Sequence, residues 1–390
     1  MNQLEKDKTM KLALIHEWLT TYAGSEKVVE AILERHPNSP IFTAVHNPAA
    51  FKRTLFEDAD IHTSFIQKLP GGVQHYQKYL PLLPLAVEQH DVSDADVIVS
   101  SHHAVAHGVR TRADQLHLSY VHTPMRYAWD LQESYLRDSG FDRGVKGLVA
   151  RLVLHYLRLW DTTTAHRVDL FMANSNYVAR RIWRAYRRPA KVIYPPVDVE
   201  CFYAQEKREE FFLTLSRLVP YKKIDLIAQA FSELGLPLVI IGDGPDLEKI
   251  KSVSKENVII LGKQPDLIVQ DYMSRCRAFV FAADEDFGIT TVEAQASGAP
   301  VLAYGKGGSL EIVKDGQTGF FFLQQTVQEI KRAVATFHRH PTLDSLAIRE
   351  SALRFSKKRF QKEFEETLER SWISFQEGID PEKSVFGGPL

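Results

Sequence analysis

Short apolar runs recur along the chain, each ending in a polar turn that leads into a segment of helical periodicity. Runs at 11–15, 41–44, 96–100, 116–121, 170–173 and 191–193 predict buried strands. Helical spacing lies between them. Val28, Val29, Ile32 and Leu33 share one face of a helix predicted over 26–34, and 144–164 and 176–186 are helical as well. The stretch 65–89 mixes prolines, aromatics and leucines without a period, which predicts a loop with short helices forming a pocket wall. The pattern restarts after Pro195-Pro196, a stiff point that a helix does not cross. Strands are predicted at 210–215, 237–241, 258–261, 277–283, 300–304 and 319–322. Helices are predicted at 224–234, 246–252, 267–274, from Thr290 to Gly298, up to Val313, at 327–337, and in more than one piece over 343–375. Strands alternating with helices form parallel α/β sheets. The expected architecture is two Rossmann-like domains facing each other across a cleft, 1–195 and 196–355, with a helical segment 356–390 crossing back to the first. Ligands of such sheets bind at the carboxyl ends of the strands.

Composition narrows the function classes. At 390 residues the chain is long for one core. A net charge of −1 argues against nucleic acid or another bulk polyanion as partner. Cys201 and Cys276 form no metal or redox spacing and suit a reducing compartment, with thiols in or near cores. The polar start MNQLEKDKTMK lacks a signal-peptide pattern, and no run reaches the roughly 18 apolar residues that span a bilayer, so a cytoplasmic protein is expected.

Candidate chemistry centres on 281–298, FAADEDFGITTVEAQASG. A strand, a short loop and a helix point backbone N–H groups and a positive helix end at one place, which suits a phosphate. Glu285 and Glu293 flank it. Carboxylates repel phosphate, so they fit hydroxyls of the same ligand, and a ligand with central phosphates and hydroxyl-rich ends is a nucleotide sugar. Arg217 and Lys222 follow a strand of the same half, where two cations can converge on one anion. The turn Tyr22–Glu26 reads either as a phosphate loop, with Gly24 admitting a ligand and Ser25 as cap, or as a plain tight turn. His122, at a strand end before Thr-Pro, is favoured over His102 and His103 for a ligand contact. His102, His103 and His107 have no further ligand at metal spacing, so no metal is expected. In 178–191, Arg180, Arg181, Arg184, Arg187 and Arg188 surround Trp183 and Tyr186. This suits a helix on anionic lipid or a solvated face packed by Ile182 and Trp183. Segments 65–89 and 144–160 offer either an apolar ledge for a lipid-linked acceptor or core packing.

The motifs SRLVPYKK (216–223), IGDGP (241–245), EDFGITTVE (285–293) and GGSLEIV (307–313) resemble those of the retaining glycosyltransferases of family 4, which have the GT-B fold. The match includes that family's E-x7-E motif. In the first half HEWLTTYAGSEKV (16–28), SSHHAVAHGV (100–109), YVHTPMRYAWD (120–130) and ANSNYVARRI (173–182) are similar as well. The resemblance runs over residues 11–375 and points to mannosyltransferase-type members that build bacterial surface polysaccharides such as O-antigen. It implies roles residue by residue. Arg217 and Lys222 bind the diphosphate, Glu285 faces the donor sugar and Glu293 holds the ribose. Phe287, Gly288 and Ile289 offer backbone amides, Gly262 and Lys263 meet the base, Gly24 closes over the phosphates and His122 lies beside the transferred sugar. The family usually carries two glycines where this chain has Ala23-Gly24. The resemblance further implies metal-independent transfer without a cofactor, from GDP-mannose to a glycan or lipid-linked acceptor, peripherally at the inner membrane face. A UDP- or ADP-sugar donor, and a catalytically silent nucleotide-sugar-binding or scaffold subunit, are the alternatives. A dehydrogenase is excluded, because no strand leads into G-x-G-x-x-G with an acid about twenty residues on.

Overall fold

A computed structural model of the chain describes residues 10–387 apart from 139, 142, 206, 341 and 342. The chain forms two compact units, Met1–Tyr194 with Gln361–Leu390, and Pro195–Phe360.

The first unit runs β1 (Leu12–His16), α1 (Gly24–Leu33), β2 (Ile41–Thr43), β3 (Ile61–Thr63), α2 (Leu83–Glu88), β4 (Val97–His102), β5 (Leu116–Val121), α3 (Gln132–Asp138), α4 (Gly144–Thr164), β6 (Leu170–Ala173), α5 (Asn176–Tyr186) and β7 (Ala190–Val192). Its seven strands are all parallel in the order β3-β2-β1-β4-β5-β6-β7. The second unit runs β8 (Phe212–Leu215), α6 (Ile224–Leu234), β9 (Leu238–Ile241), α7 (Leu247–Val253), β10 (Val258–Gly262), α8 (Asp266–Arg275), β11 (Ala278–Phe281), α9 (Ile289–Ala296), β12 (Val301–Tyr304), α10 (Ser309–Ile312), β13 (Gly319–Phe322), α11 (Val327–Arg339) and α12 (Ser345–Ala352). Its sheet is again parallel, in the order β10-β9-β8-β11-β12-β13. Helix α13 (Lys357–Gln376) and α14 (Pro381–Phe386) end the chain.

Central strands β1, β4, β5, β6 and β11 are buried along their whole length. A parallel sheet covered on both faces excludes water from every side chain, which is why these strands stand out as unbroken apolar runs. Edge strand β3 breaks the rule. It is three residues long, half-exposed and carries His62, so its pattern gives no strand signal. The stretch 65–89 forms short 3-10 turns at Phe65–Lys68 and Tyr76–Leu82 and then α2. Buried Ile66, Leu83, Ala86 and Val87 pin it to the first core. Within the same unit the C-terminal segment is held by His36 on Glu365 (2.9 Å), Gln361 on the Ala31 carbonyl (3.0 Å) and Arg188 on Glu382 (2.8 Å).

Strand order reverses direction twice, between β1 and β4 and between β8 and β11. Loops leaving adjacent strands at such a switch point diverge and leave a crevice at their carboxyl ends. The candidate residues follow these four strands and their neighbours. Among the described residues, no helix is long and apolar enough to cross a membrane. Of the two thiols only Cys276 is in a core, and Cys201 is exposed.

The interior of the first unit holds several buried polar side chains, His16, Glu17, His107 and His117 among them. His117 is fully buried in β5. Its Nδ1 bonds the Arg167 carbonyl at 3.1 Å, so this nitrogen carries the proton, and Nε2 accepts from the Ser100 hydroxyl at 3.0 Å. Burial pushes its pKa down from 6.5 to about 4, so the unfolded chain takes up the proton first. Stability is therefore lost as pH falls from 6.5 toward 4, by up to about 1.4 kcal/mol per pH unit for one such group. His117→Asn should lower stability at pH 7 yet flatten this acid-side slope. Urea titrations across the pH series read it, and parallel slopes in both proteins would refute it.

Candidate functional site

In the second unit three loops converge at the β8/β11 switch. The first, 216–223, leaves β8. Leu218 N–H donates to the Asp243 carbonyl (2.9 Å) and Asp246 N–H returns to the Leu218 carbonyl (3.1 Å). This contact needs Gly242, because a Cβ there would stand 1.8 Å from the Ser216 oxygen. The second loop, 282–288, leaves β11 and ends at Gly288, the N-cap of α9. The third, 305–308, lies directly on the second. Gly308 N–H donates to the Glu285 carbonyl at 2.9 Å, and a Cβ on Gly308 would be 2.1 Å from the Phe287 oxygen. The Phe287 ring is buried edge-on to Phe355 at 5.4 Å and anchors the loop from beneath.

This packing brings Lys222 and Glu285 together as an ion pair whose side chains are only 16% and 18% exposed. Lys306 pairs with Asp284 at 2.9 Å and ties the third loop to the second by charge. The sequence motifs gave no role to Lys306 or Asp284. Arg217 is exposed and makes no ion pair among the described residues. Glu293 lies half-buried on α9, which begins at Ile289, one residue before the predicted Thr290. Gly262 closes β10 and exposed Lys263 follows it. Buried Asp284 Oδ1, Thr291 Oγ1 and Ser309 Oγ have no hydrogen-bond partner among the described residues.

In the first unit α1 begins two residues earlier than predicted. Gly24 is its first residue and Ala23 the N-cap, so Ser25 is inside the first turn and caps nothing. The capping bond comes from the other direction. Glu26 Oε2 accepts from Ala23 N–H and from the Ser25 hydroxyl, both at 3.0 Å. Glu26 Oε1 takes His16 Nε2 at 3.1 Å, His16 Nδ1 meets the Ser101 hydroxyl at 3.1 Å, and Ser101 meets His122 Nε2 at 2.8 Å. Burial would raise the Glu26 pKa, but the bond and charge of His16 outweigh it and hold it low. His122 is pinned by its backbone, which donates to the His102 carbonyl (2.8 Å) and accepts from Asn174 (2.9 Å). Burial, then the nearby imidazoles of His103, His16 and His102, push its pKa far below the usual value, so the ring is neutral at pH 7.

Glu17 received no role in the sequence motifs. It is wholly buried and takes the amide protons of His103, Ala104, Val105 and Ala106 at 2.7–3.0 Å. Burial alone would raise its pKa. The bond to His102, the charges of His103 and His102 and the Ala106 amide hold it far below the carboxylate range. The histidine spacing also hid a neighbour. Asp161 comes in from α4, so that ligand atoms of His102, His107 and Asp161 lie within 4.8 Å of one another. His102 Nε2 bonds His107 Nδ1 at 3.0 Å, while His107 Nε2 bonds the Asp161 backbone carbonyl at 3.2 Å and the Thr164 hydroxyl at 3.1 Å, with the Asp161 carboxylate 3.4 Å away. Trp129 (2.8 Å) and Tyr186 (3.0 Å) complete the Asp161 shell, and burial raises its pKa to about 6.

Two of the five arginines of the basic helix are used internally. Arg181 bonds Thr123 (2.7 Å) and Asp130 (2.6 Å), and Arg188 bonds Glu382 and the Val168 carbonyl. Ile182 is buried, whereas Trp183, the other residue of the solvated-face reading, is half-exposed.

Residues 23–201 match the family model described as Glycosyltransferase Family 4, and residues 202–358 the model Glycosyl transferases group 1. The chain belongs to the family 4 glycosyltransferases. An uncharacterized glycosyltransferase of Methanocaldococcus jannaschii is 29% identical over 195 residues, 49% of this chain and 55% of that one. A GDP-mannose-dependent alpha-(1-6)-phosphatidylinositol monomannoside mannosyltransferase of Mycobacterium tuberculosis is 30% identical over 219 residues, 48% of this chain and 55% of that one. The chain thus spans about half the length of the curated relatives it matches. HepE of Anabaena, solved with UDP and glucose, aligns with a TM-score of 0.68 at 19% identity, covering 93% of this chain and 100% of that one. That likeness is one of fold, and the fold class of this family 4 glycosyltransferase is GT-B.

The close approach of the second and third loops is testable in this glycosyltransferase. Gly308→Ala forces them apart and should cost about 1–3 kcal/mol of stability, as overpacking does. Denaturant titration with circular dichroism reads this, and wild-type stability would refute the contact.

Proposed function

We propose that this chain transfers a sugar, mannose from GDP-mannose, to a glycan or lipid-linked acceptor with retention, in cell-surface polysaccharide synthesis. The observation that carries the reading is the Lys222–Glu285 pair at the β8/β11 switch, with exposed Arg217 on the same loop as Lys222. A diphosphate gains charge as its bond to the sugar breaks. Fixed cations at that place stabilise the transition state more than the bound donor. Glu285 accepts hydroxyls of the donor sugar and Glu293 those of the ribose. Backbone at Phe287, Gly288 and Ile289 lines the phosphates, Gly262 and Lys263 the base. Gly24 closes over the phosphates and His122 takes the transferred sugar. Retention is read as front-face attack: the anomeric carbon–phosphate bond breaks, the acceptor oxygen bonds the same face, and the leaving phosphate takes the acceptor's proton. Arg217 and Lys222 stand where other transferases use a divalent ion, so the reaction is metal-independent.

Mannose is supported by the M. tuberculosis relative, whose name specifies GDP-mannose. HepE, solved with UDP and glucose, keeps the UDP-sugar alternative in view. Membrane contact at the inner face is supported by α4. It exposes Val145, Leu148, Val149, Leu152, Tyr156 and Leu159 along one side, an apolar face suited to a lipid-linked acceptor. The joint presence of Arg217, Lys222, Glu285 and Glu293 favours turnover over a silent scaffold.

Lys222→Ala should lower kcat by about 10²–10³-fold, the usual loss for one group stabilising a developing anion, with the circular-dichroism spectrum unchanged. Near-normal turnover would remove Lys222 from the phosphate site. Thermal-shift measurements should show stabilisation by GDP and GDP-mannose, and stabilisation by UDP alone would overturn the mannose assignment. Transfer should survive EDTA, and loss restored by a divalent ion would overturn the metal-free reading.

A further inference from the structure

Backbone contacts fix both ends of the Lys222–Glu285 ion pair. Lys222 N–H donates to the Val219 carbonyl at 3.0 Å and closes the turn Pro220–Lys222, and its ammonium lies 5.3 Å from the centre of the Tyr221 ring. On the other side the Glu285 carbonyl takes Gly308 N–H at 2.9 Å. Gly307, at φ +68°, packs so closely that a Cβ there would stand 2.2 Å from the same carbonyl oxygen. Loop 282–288 carries Asp284, Glu285 and Asp286 and no cation, and Lys306 from the third loop pairs with Asp284. A diphosphate bonded to Lys222 therefore has the Glu285 carboxylate as a neighbour. Two charge-assisted bonds to one ammonium, each about 2.8 Å long, put the two anions within about 6 Å of each other. Either the ammonium keeps both and they repel, or it turns to the phosphate and leaves a largely buried carboxylate unpaired.

A nucleotide sugar and a free nucleoside diphosphate differ at this point. Sugar hydroxyls donate and a carboxylate only accepts, so the sugar supplies Glu285 with the bonds it gives up when Lys222 turns to the phosphate. The free nucleoside diphosphate has no donor at that end. Its terminal phosphate, rid of the sugar, ionises a second time with a pKa of roughly 6, which adds negative charge where the sugar was. We propose that Glu285 makes this site select a nucleotide sugar over the nucleoside diphosphate left after transfer, so that the spent donor is expelled as the pair with Lys222 re-forms. The sugar contact rests on the transferase reading above, while the opposition to a bare diphosphate rests on the ion pair alone. Lys222 attracts both occupants. Glu285 holds one and repels the other, and the difference sets how readily the product leaves.

Isothermal titration of the full chain at pH 7.5 with inorganic diphosphate, GDP, GDP-mannose, UDP and UDP-glucose, without acceptor, tests this. The wild type should bind a nucleotide sugar more tightly than the matching nucleoside diphosphate. In Glu285→Gln the nucleoside diphosphate and inorganic diphosphate should both bind at least about tenfold more tightly, the worth of one nearby like charge, and the nucleotide sugar should gain less. Glu285→Ala should behave in the same way, and circular dichroism checks that each variant is folded. Glu285→Asp keeps the charge and should not tighten diphosphate binding. Glu293→Gln should weaken the nucleoside diphosphate, because Glu293 is read as the ribose contact. Equal tightening in Glu293→Gln and Glu285→Gln would mean a general charge effect and overturn the proposal. If the nucleotides bind but both uncharged Glu285 variants match the wild type, the proposal falls and the transferase reading stands. If no nucleotide binds while inorganic diphosphate tightens in Glu285→Gln, the transferase reading falls and the opposition of Glu285 to diphosphate stands. No binding of any of the five compounds by any variant overturns both.

Discussion

Four consecutive amide protons, from His103 to Ala106, end on one buried carboxylate, that of Glu17. The loop leaving β4 must turn sharply at the switch point, and its backbone donors cannot reach a neighbouring strand there. Unpaired and buried, each would cost about 1–3 kcal/mol. Glu17 satisfies them together, and the bond to His102, the charges of His103 and His102 and the Ala106 amide keep it ionised in a place where burial alone would raise its pKa. The position of His102 follows from this, and with it the carbonyl that holds the His122 backbone. One charge at the end of β1 thus fixes the loops that carry the polar residues of the first unit.

The second unit meets the same requirement by different means. Its loops are held by backbone contact where glycine removes the side chain, at Gly242 against Ser216 and at Gly308 against Phe287. Between these loops, charge adds the pairs Lys222–Glu285 and Lys306–Asp284. Close backbone packing gives rigidity without filling the space beside the strand ends. The first unit is thus held by buried hydrogen bonds and the second by glycine-mediated backbone contact.

Much of the fold was legible because parallel strands are buried on both faces. An apolar run such as 116–121 is sheltered from water inside a sheet covered on both faces, and β5 occupies that place. Strand β3 was not legible, since an edge strand needs no apolar pattern. The start of α1 was misjudged because Ser25 has the chemistry of a cap, while the bond that matters runs back from Glu26 to the Ala23 amide. Of the two residues that the solvated-face reading turned inward, helical phase buries Ile182 and leaves Trp183 half-exposed.

For the candidate site the division is sharper. The sequence alone determined the residue types: cations at Arg217 and Lys222, carboxylates at Glu285 and Glu293, glycines at the turns. Those follow from local motif and spacing, which survive in one dimension. Tertiary structure alone decided which groups touch. The contact of Lys222 with Glu285, the arrival of Asp161 beside His107, and the chain of bonds from Glu26 through His16 and Ser101 to His122 join residues from separate strands and helices. A hydrogen bond depends on distances of a few tenths of an ångström. Only the sheet order, which brings β1 beside β4 and β8 beside β11, sets such distances.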